Sequence, residues 1–206
     1  MYLAIAGNIG VGKSTLTRLL SERLRLTPVY EAVDENPYLE DFYQDMSRYA
    51  FHSQMFFLSK RLEQHLSQVN VGERVIQDRT IYEDAGVFAR NLFEEGILSP
   101  RDYATYTGMY DAIAAALRPP DLMLYLRASV PTLQQHITLR GRDYERTIAP
   151  SYLEQLNRLY ESWAENYTLS ELLIIETDDL DFLNDPEDLQ GILVGLEPYG
   201  LSTPLL

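Results

Sequence analysis

Three features of the sequence predict an α/β fold, a parallel β-sheet with helices on both faces. Short apolar runs alternate with amphipathic stretches, a glycine-rich loop joins the first run to the first stretch, and no repeat or linker divides the chain. Strands that alternate with helices pair in parallel, and the crossover helices cover the sheet. The 206 residues are expected to form one domain over 1–206.

Tyr2 to Ala6 reads as a buried strand that stops at Gly7. Ser14 to Leu24 carries Leu16, Leu19, Leu20 and Leu24 on one helical stripe. Val29 to Glu31 is expected as a short second strand, and Asn36-Pro37 as a turn. Ser47 to Val69 is the longest predicted helix, with Phe51, Met55, Leu58, Leu62, Leu66 and Val69 stepping along one face. Arg74 to Gln77 is a third strand, ending at Asp78. Helices follow over Glu83 to Glu94 and Arg101 to Leu117, the second stopped by Pro119-Pro120. Leu122 to Leu126 is a strand, Val130 to Leu139 a helix and Arg140 to Ile148 a charged loop. The chain ends with a helix over Ser151 to Tyr167, a strand over Leu172 to Ile175 and a helix over Pro186 to Leu196.

Composition narrows the function. A formal net charge of −14 argues against a nucleic-acid surface, which needs Lys and Arg against phosphates. With no cysteine, a thiolate metal site and a cysteine nucleophile are excluded. The same absence fits a reducing compartment, and a cytoplasmic location is expected. Met1 to Ala6 has no basic leader, and no apolar run is long enough to span a bilayer, so no membrane partner is expected.

Only two lysines occur, and one of them, Lys13, sits in the glycine loop. Gly7-Asn8-Ile9-Gly10-Val11-Gly12-Lys13-Ser14 matches the phosphate-loop pattern, with a strand before it and a helix after it. Such a loop turns backbone N–H groups toward phosphate oxygens, and the helix N-terminus adds a favourable dipole. Lys13 would neutralise the outer phosphates of ATP, and the Ser14 hydroxyl would ligate Mg²⁺. Asp78, at the C-terminal edge of the sheet, would be a second Mg²⁺ ligand or else a helix N-cap. Arg79 follows and could grip an anionic oxygen. Arg140-Gly141-Arg142-Asp143-Tyr144-Glu145 suits a lid that brings arginines to a transferring phosphoryl group, although a solvated turn would look similar. A GTPase would need Asn-Lys-x-Asp, and Lys60 lies instead between Ser59 and Arg61.

Together the phosphate loop, Glu31-Ala32-Val33, Asp78-Arg79-Thr80 and Arg140-Gly141-Arg142 with Glu145 resemble the deoxyribonucleoside kinase family over nearly the whole chain. Asp34-Glu35-Asn36-Pro37 is similar to the bacterial deoxyadenosine and deoxyguanosine kinases within it. Ala32 departs from the family, which usually has proline there. The resemblance implies a three-layer P-loop nucleoside-kinase-like fold with an arginine-bearing lid at about 140–148. It implies transfer of the ATP γ-phosphate to the 5′-hydroxyl of a deoxynucleoside, with purines preferred and deoxyadenosine before deoxyguanosine.

The implied roles are specific. Glu31 is the general base, and Arg79, Arg140 and Arg142 are the catalytic arginines. Tyr43 and Glu145 match the sugar 3′-hydroxyl site; Gln54, Arg61, Asp84 and Phe88 match the base pocket. Gly7 to Ser14 with Thr15, and Asp181-Phe182 beside the adenine, hold ATP. A homodimer packed through the long helix and inhibition by the end-product deoxynucleoside triphosphate are also implied. Without the resemblance, Phe88 and Tyr43 could simply pack, and Arg61 with Asp84 could be a structural ion pair. Alternative functions are a deoxycytidine or broad deoxynucleoside kinase, a thymidylate-like nucleoside monophosphate kinase, or a nucleotide-binding module without turnover.

Overall fold

The computed structural model describes residues 1–202, the Asp34 side chain excepted; the last four residues of the expected domain lie outside the described residues. Five strands form one parallel sheet in the order β2-β3-β1-β4-β5. They are β1 (Tyr2–Gly7), β2 (Thr27–Val29), β3 (Val75–Asp78), β4 (Leu122–Arg127) and β5 (Glu171–Glu176).

Strand β1 is central and wholly buried, and its alternating side chains divide the core. Leu3 and Ile5 pack with Leu16 and Leu20 of α1 (Lys13–Leu24), Leu133 and Ile137 of α7 (Val130–Arg140), and Leu189 and Leu193 of α9 (Pro186–Leu196). Tyr2, Ala4 and Ala6 face the other way, onto Leu156, Leu159 and Tyr160 of α8 (Pro150–Glu165). The result is the expected three-layer arrangement. The remaining helices are α2 (Leu39–Gln44), α3 (Met46–Gln64), α4 (Ile81–Glu83), α5 (Arg90–Glu94) and α6 (Pro100–Ala114). None of the described helices is long and apolar enough to cross a membrane.

Three local expectations are corrected. The second strand stops at Val29, so Glu31 lies in the loop beyond it rather than on the strand. Val29 pairs with Gln77 at the last rung of that ladder, and β3 turns away at Arg79, whose φ is +62°. In that register Glu31 would fall opposite Arg79, which is not extended. The long helix widens into a π turn over His65–Val69 after α3. The helix expected from Glu83 starts at Ile81, capped by Thr80 and Glu83, and passes through a second π turn over Asp84–Ala89. Turns of this kind recur at functional sites, and Asp84 and Phe88 both lie on this one.

Candidate active site

The phosphate loop runs from the end of β1 into α1. Gly7, Gly10 and Gly12 all have positive φ. A Cβ on Gly7 would meet the Leu126 carbonyl at 2.7 Å, and one on Gly12 would meet the Phe182 ring at 2.9 Å, so side chains are barred at both. Asn8 braces the loop by donating to the Leu153 carbonyl at 3.0 Å and to Asn157 at 2.7 Å. The Gly10 carbonyl lies 2.9 Å from His136 Nδ1 on α7. Lys13 Nζ donates to the carbonyls of Gly7 and Asn8, both at 2.9 Å. Burial pushes the Lys13 ammonium down to about 8, with Arg79 adding to the effect.

Ser14 Oγ donates to Asp78 Oδ2. The other oxygen, Asp78 Oδ1, is buried without a hydrogen-bond partner. Burial raises the Asp78 carboxyl above its usual range. Asp78 therefore does not cap a helix; Thr80 does. A hydroxyl beside an unsatisfied carboxylate oxygen is a hard donor pair that fits Mg²⁺. No group of three or more His, Cys, Asp or Glu that could hold a metal occurs among the described residues. Mg²⁺ in phosphate sites does not need one, because phosphates and waters fill the remaining positions.

Beyond the loop lies a cavity of about 920 Å³ that all the expected site regions line. Glu31 is one of the residues that line it. Glu31 Oε2 accepts from Arg79 Nε at 3.0 Å and Oε1 from Arg61 Nη2 at 2.5 Å. Burial alone would raise this carboxyl; Arg79, Arg61 and Lys13 together outweigh it and hold it at about 2. Arg61 Nη1 also donates to Asp84 Oδ2. Burial pushes the Asp84 carboxyl up to about 7, against the pull of Arg61 and Arg79. Removing Arg61 would strand the buried Asp84 carboxylate, a cost of about 3–5 kcal/mol by analogy with other buried pairs, and would leave Glu31 on Arg79 alone.

Arg79 is held on four sides. Its Nη1 donates to Tyr160 Oη at 3.0 Å, its guanidinium lies 4.3 Å from the Phe88 ring centroid, its Nε binds Glu31, and its backbone N donates to Ile5. Behind Tyr160 stands Glu83, which is fully buried. Glu83 Oε2 accepts from Tyr160 at 2.5 Å and from the Gly7 amide at 3.3 Å, while Oε1 accepts from the Thr80 amide at 2.9 Å. Sequence reasoning missed Glu83 and Tyr160. The Thr80-x-x-Glu83 spacing was legible as a capping box, which it is, but nothing local marks Tyr160 on α8.

Gln54 lines the far end of the cavity, and its Oε1 is buried without a partner. Asn36 donates to the neighbouring Ser53 hydroxyl at 3.0 Å, which ties the Asn36-Pro37 turn to α3 beside Gln54. Tyr43 lines the same wall and stacks on Tyr144 at 5.8 Å. In the lid, buried Glu145 takes Arg140 Nε at 2.9 Å and Nη2 at 2.5 Å, and Arg142 Nη1 at 3.5 Å. Gly141 ends α7 with φ +71°, which lets the chain turn into this loop. Asp181 and Phe182 lie at the opposite end; Phe182 packs under Gly12, and Asp181 accepts from Asn184 Nδ2 at 3.0 Å. Ile9 and Val11 of the phosphate loop and Thr15 just after it also line the cavity.

Three kinds of comparison agree with this architecture. A family model described as deoxynucleoside kinase matches residues 3–196. The deoxyadenosine/deoxycytidine kinase of Bacillus subtilis is 37% identical over 193 residues, covering 93% of this chain and 89% of that protein. The deoxyguanosine kinase of Lactobacillus johnsonii is 36% identical over 200 residues, covering 93% and 88%. The structure of deoxyadenosine kinase from M. mycoides with products dCMP and a flexible dCDP bound superposes with a TM-score of 0.85 at 31% identity, over 96% of this chain and 99% of that one. The dATP-bound structure of the same kinase gives a TM-score of 0.83.

Proposed function

The chain belongs to the deoxynucleoside kinase family, and from that premise we propose that it transfers the ATP γ-phosphate to the 5′-hydroxyl of a purine deoxynucleoside, deoxyadenosine before deoxyguanosine, as one catalytic domain serving nucleotide salvage. The carrying observation is the position of Glu31, held by Arg79 and Arg61 between the phosphate loop and the Gln54–Asp84 end of one cavity.

In this reading Lys13 leaves its two loop carbonyls to neutralise the donor phosphates, and the loop amides cradle them. Ser14 and Asp78 hold Mg²⁺, which when bound offsets charge on the phosphates. The donor adenine lies against the Asp181-Phe182 loop. Glu31 accepts the hydrogen bond of the 5′-hydroxyl and aims its lone pair at phosphorus. A carboxylate held at about 2 is a weak base for an alcohol in the ground state. The hydroxyl proton becomes acidic only as the oxygen–phosphorus bond forms, so Glu31 takes it late. Arg79 keeps the carboxylate in place, and Arg140 and Arg142 meet the charge on the moving phosphoryl group. Tyr43 and Glu145 receive the sugar 3′-hydroxyl.

Gln54 supplies one donor and one acceptor, so flipping its amide serves either purine edge. Asp84 accepts from an exocyclic amino group, with Phe88 against the base. Deoxycytidine is the second reading, because cytosine also carries such an amino group and the Bacillus subtilis relative is named for both nucleosides. A dATP complex of the M. mycoides kinase supports binding of a deoxynucleoside triphosphate; in this reading an end-product triphosphate places its phosphates in the loop Gly7 to Ser14 and its nucleoside in the acceptor pocket. The same reading makes the enzyme a cytoplasmic homodimer packed through α3; Met109 on the adjoining α6 is 45% exposed, and sedimentation velocity would test this contact.

The function is tested by incubating the protein with ATP, Mg²⁺ and deoxyadenosine, or in parallel with deoxynucleoside monophosphates, and identifying the product by phosphorus NMR. The expected product is the 5′-monophosphate. Phosphorylation of monophosphates but of no nucleoside would replace this reading with a nucleoside monophosphate kinase.

A further inference from the structure

One guanidinium serves both ends of the acceptor site. Arg61 Nη2 donates to Glu31 Oε1 at 2.5 Å, and Nη1 donates to Asp84 Oδ2. Building on the function proposed above, we propose that Arg61 is a positioning residue through which the acceptor's base sets the carboxylate that meets its 5′-hydroxyl. Base identity then enters the rate of phosphoryl transfer and not only the affinity.

The geometry supports this coupling. Arg61 is 3% exposed, and the Asp84 side chain is equally buried, so the bond between them is not exchanged freely for water, while the Glu31 side chain at the other end of the fork faces the cavity. The guanidinium is a rigid planar fork, and its two Nη positions move together. Its centre lies 4.9 Å from the Phe57 ring centroid, which restricts tilting out of the plane. Arg61 Nε is buried with no hydrogen-bond partner, so no third bond anchors the fork independently of the two carboxylates. A shift toward Asp84 therefore draws Nη2 away from Glu31. Glu31 then rests on Arg79 alone, through its other oxygen.

A base with an amino group gives Asp84 a second hydrogen bond and fixes it, which leaves the fork seated on Glu31. A base without that group leaves Asp84 with Arg61 as its charged partner, and the fork settles toward Asp84. Glu31 then meets the 5′-hydroxyl with one arginine less to hold it. A static ion pair would behave differently, because the amino group would then alter KM and leave the transfer step untouched.

The test compares deoxyadenosine with purine 2′-deoxyriboside, which lacks only the 6-amino group, using single-turnover transfer rates at saturating nucleoside. In the wild-type enzyme the amino group is expected to raise the rate about tenfold. Arg61→Lys keeps one charge but cannot span two carboxylates, so the ratio of the two rates should fall to about one. Asp84→Asn, close in shape, should give the same collapse and carries the test should Arg61→Lys lose the cooperative melt of the wild type. Equal wild-type rates with a difference confined to KM would overturn the inference, as would a ratio that survives in the folded variants. If the wild-type enzyme phosphorylates neither nucleoside, the kinase reading itself falls, and this inference with it.

Discussion

Arg79 holds Glu31 from a backbone that few side chains adopt: its Nε lies 3.0 Å from Glu31 Oε2 while its φ is +62°. Strain of this kind persists where surrounding contacts enforce it, and here Tyr160, Phe88 and the Ile5 carbonyl do so. The arrangement predicts that the Glu31 carboxylate matters to the chemical step. Glu31→Gln keeps the shape and removes proton acceptance. We expect kcat to fall about a hundredfold or more with a smaller change in KM. Steady-state kinetics with deoxyadenosine check this, and a kcat near wild type would remove Glu31 from the role.

Lys13→Ala should reduce transfer to background while acceptor binding persists. Lys13 sits on the loop carbonyls and not among the base-pocket groups. Calorimetry with deoxyadenosine, set beside a turnover assay, separates the two effects. Unchanged turnover would exclude the phosphate-loop role.

The lid arginines share one partner, Glu145. Replacing Arg140 and Arg142 together by alanine should lower kcat about a hundredfold, because they meet charge that develops during transfer. A double variant altered only in its KM for the nucleoside would contradict this assignment.

Asp84 makes stability depend on pH in a definite direction. Its carboxyl lies at about 7 in the folded protein against an ordinary 3.8, because burial outweighs Arg61 and Arg79 while Glu31 and Glu83 add to the rise. Between these values the folded chain binds more protons than the unfolded chain, so this contribution weakens as pH rises from about 4 to about 7. Asp84→Asn lacks that titration. Melting temperatures of the two proteins at pH 5 and pH 8 should therefore shift in the variant's favour at the higher pH. A shift the other way would contradict the assignment.

The layered sheet and the phosphate loop were legible because their signals are local. The run Tyr2 to Ala6, the glycines after it and the stripe of α1 each lie within about one element. The paired carboxylates and arginines were legible as residue types through the family resemblance. The pairing of Arg79 with Glu31 and of Arg61 with Asp84 was legible as well, but the bond from Arg61 to Glu31 and the backbone around these groups were not. The end of β2 depends on where β3 turns at Arg79, a property of the neighbouring strand. The π turn through Asp84 and Phe88 breaks the spacing that helical periodicity assumes. Arg61 was assigned to the base pocket, and only the folded chain brings Glu31, thirty positions earlier, onto the same guanidinium. Tyr160 joins Arg79 from 81 positions away, beyond the reach of any spacing rule.

The most direct test of the account is kcat/KM for deoxyadenosine, deoxyguanosine, deoxycytidine and thymidine under one condition with ATP and Mg²⁺. The resemblance over Asp34 to Pro37, with the proposed pocket of Gln54, Arg61 and Asp84, predicts deoxyadenosine first, deoxyguanosine second and thymidine last. Thymine has no amino group for Asp84, and a buried polar group left with one fewer partner costs about 1–3 kcal/mol. Thymidine as the best substrate would contradict the pocket, and deoxycytidine as the best would refute the purine preference while sparing the role of Asp84.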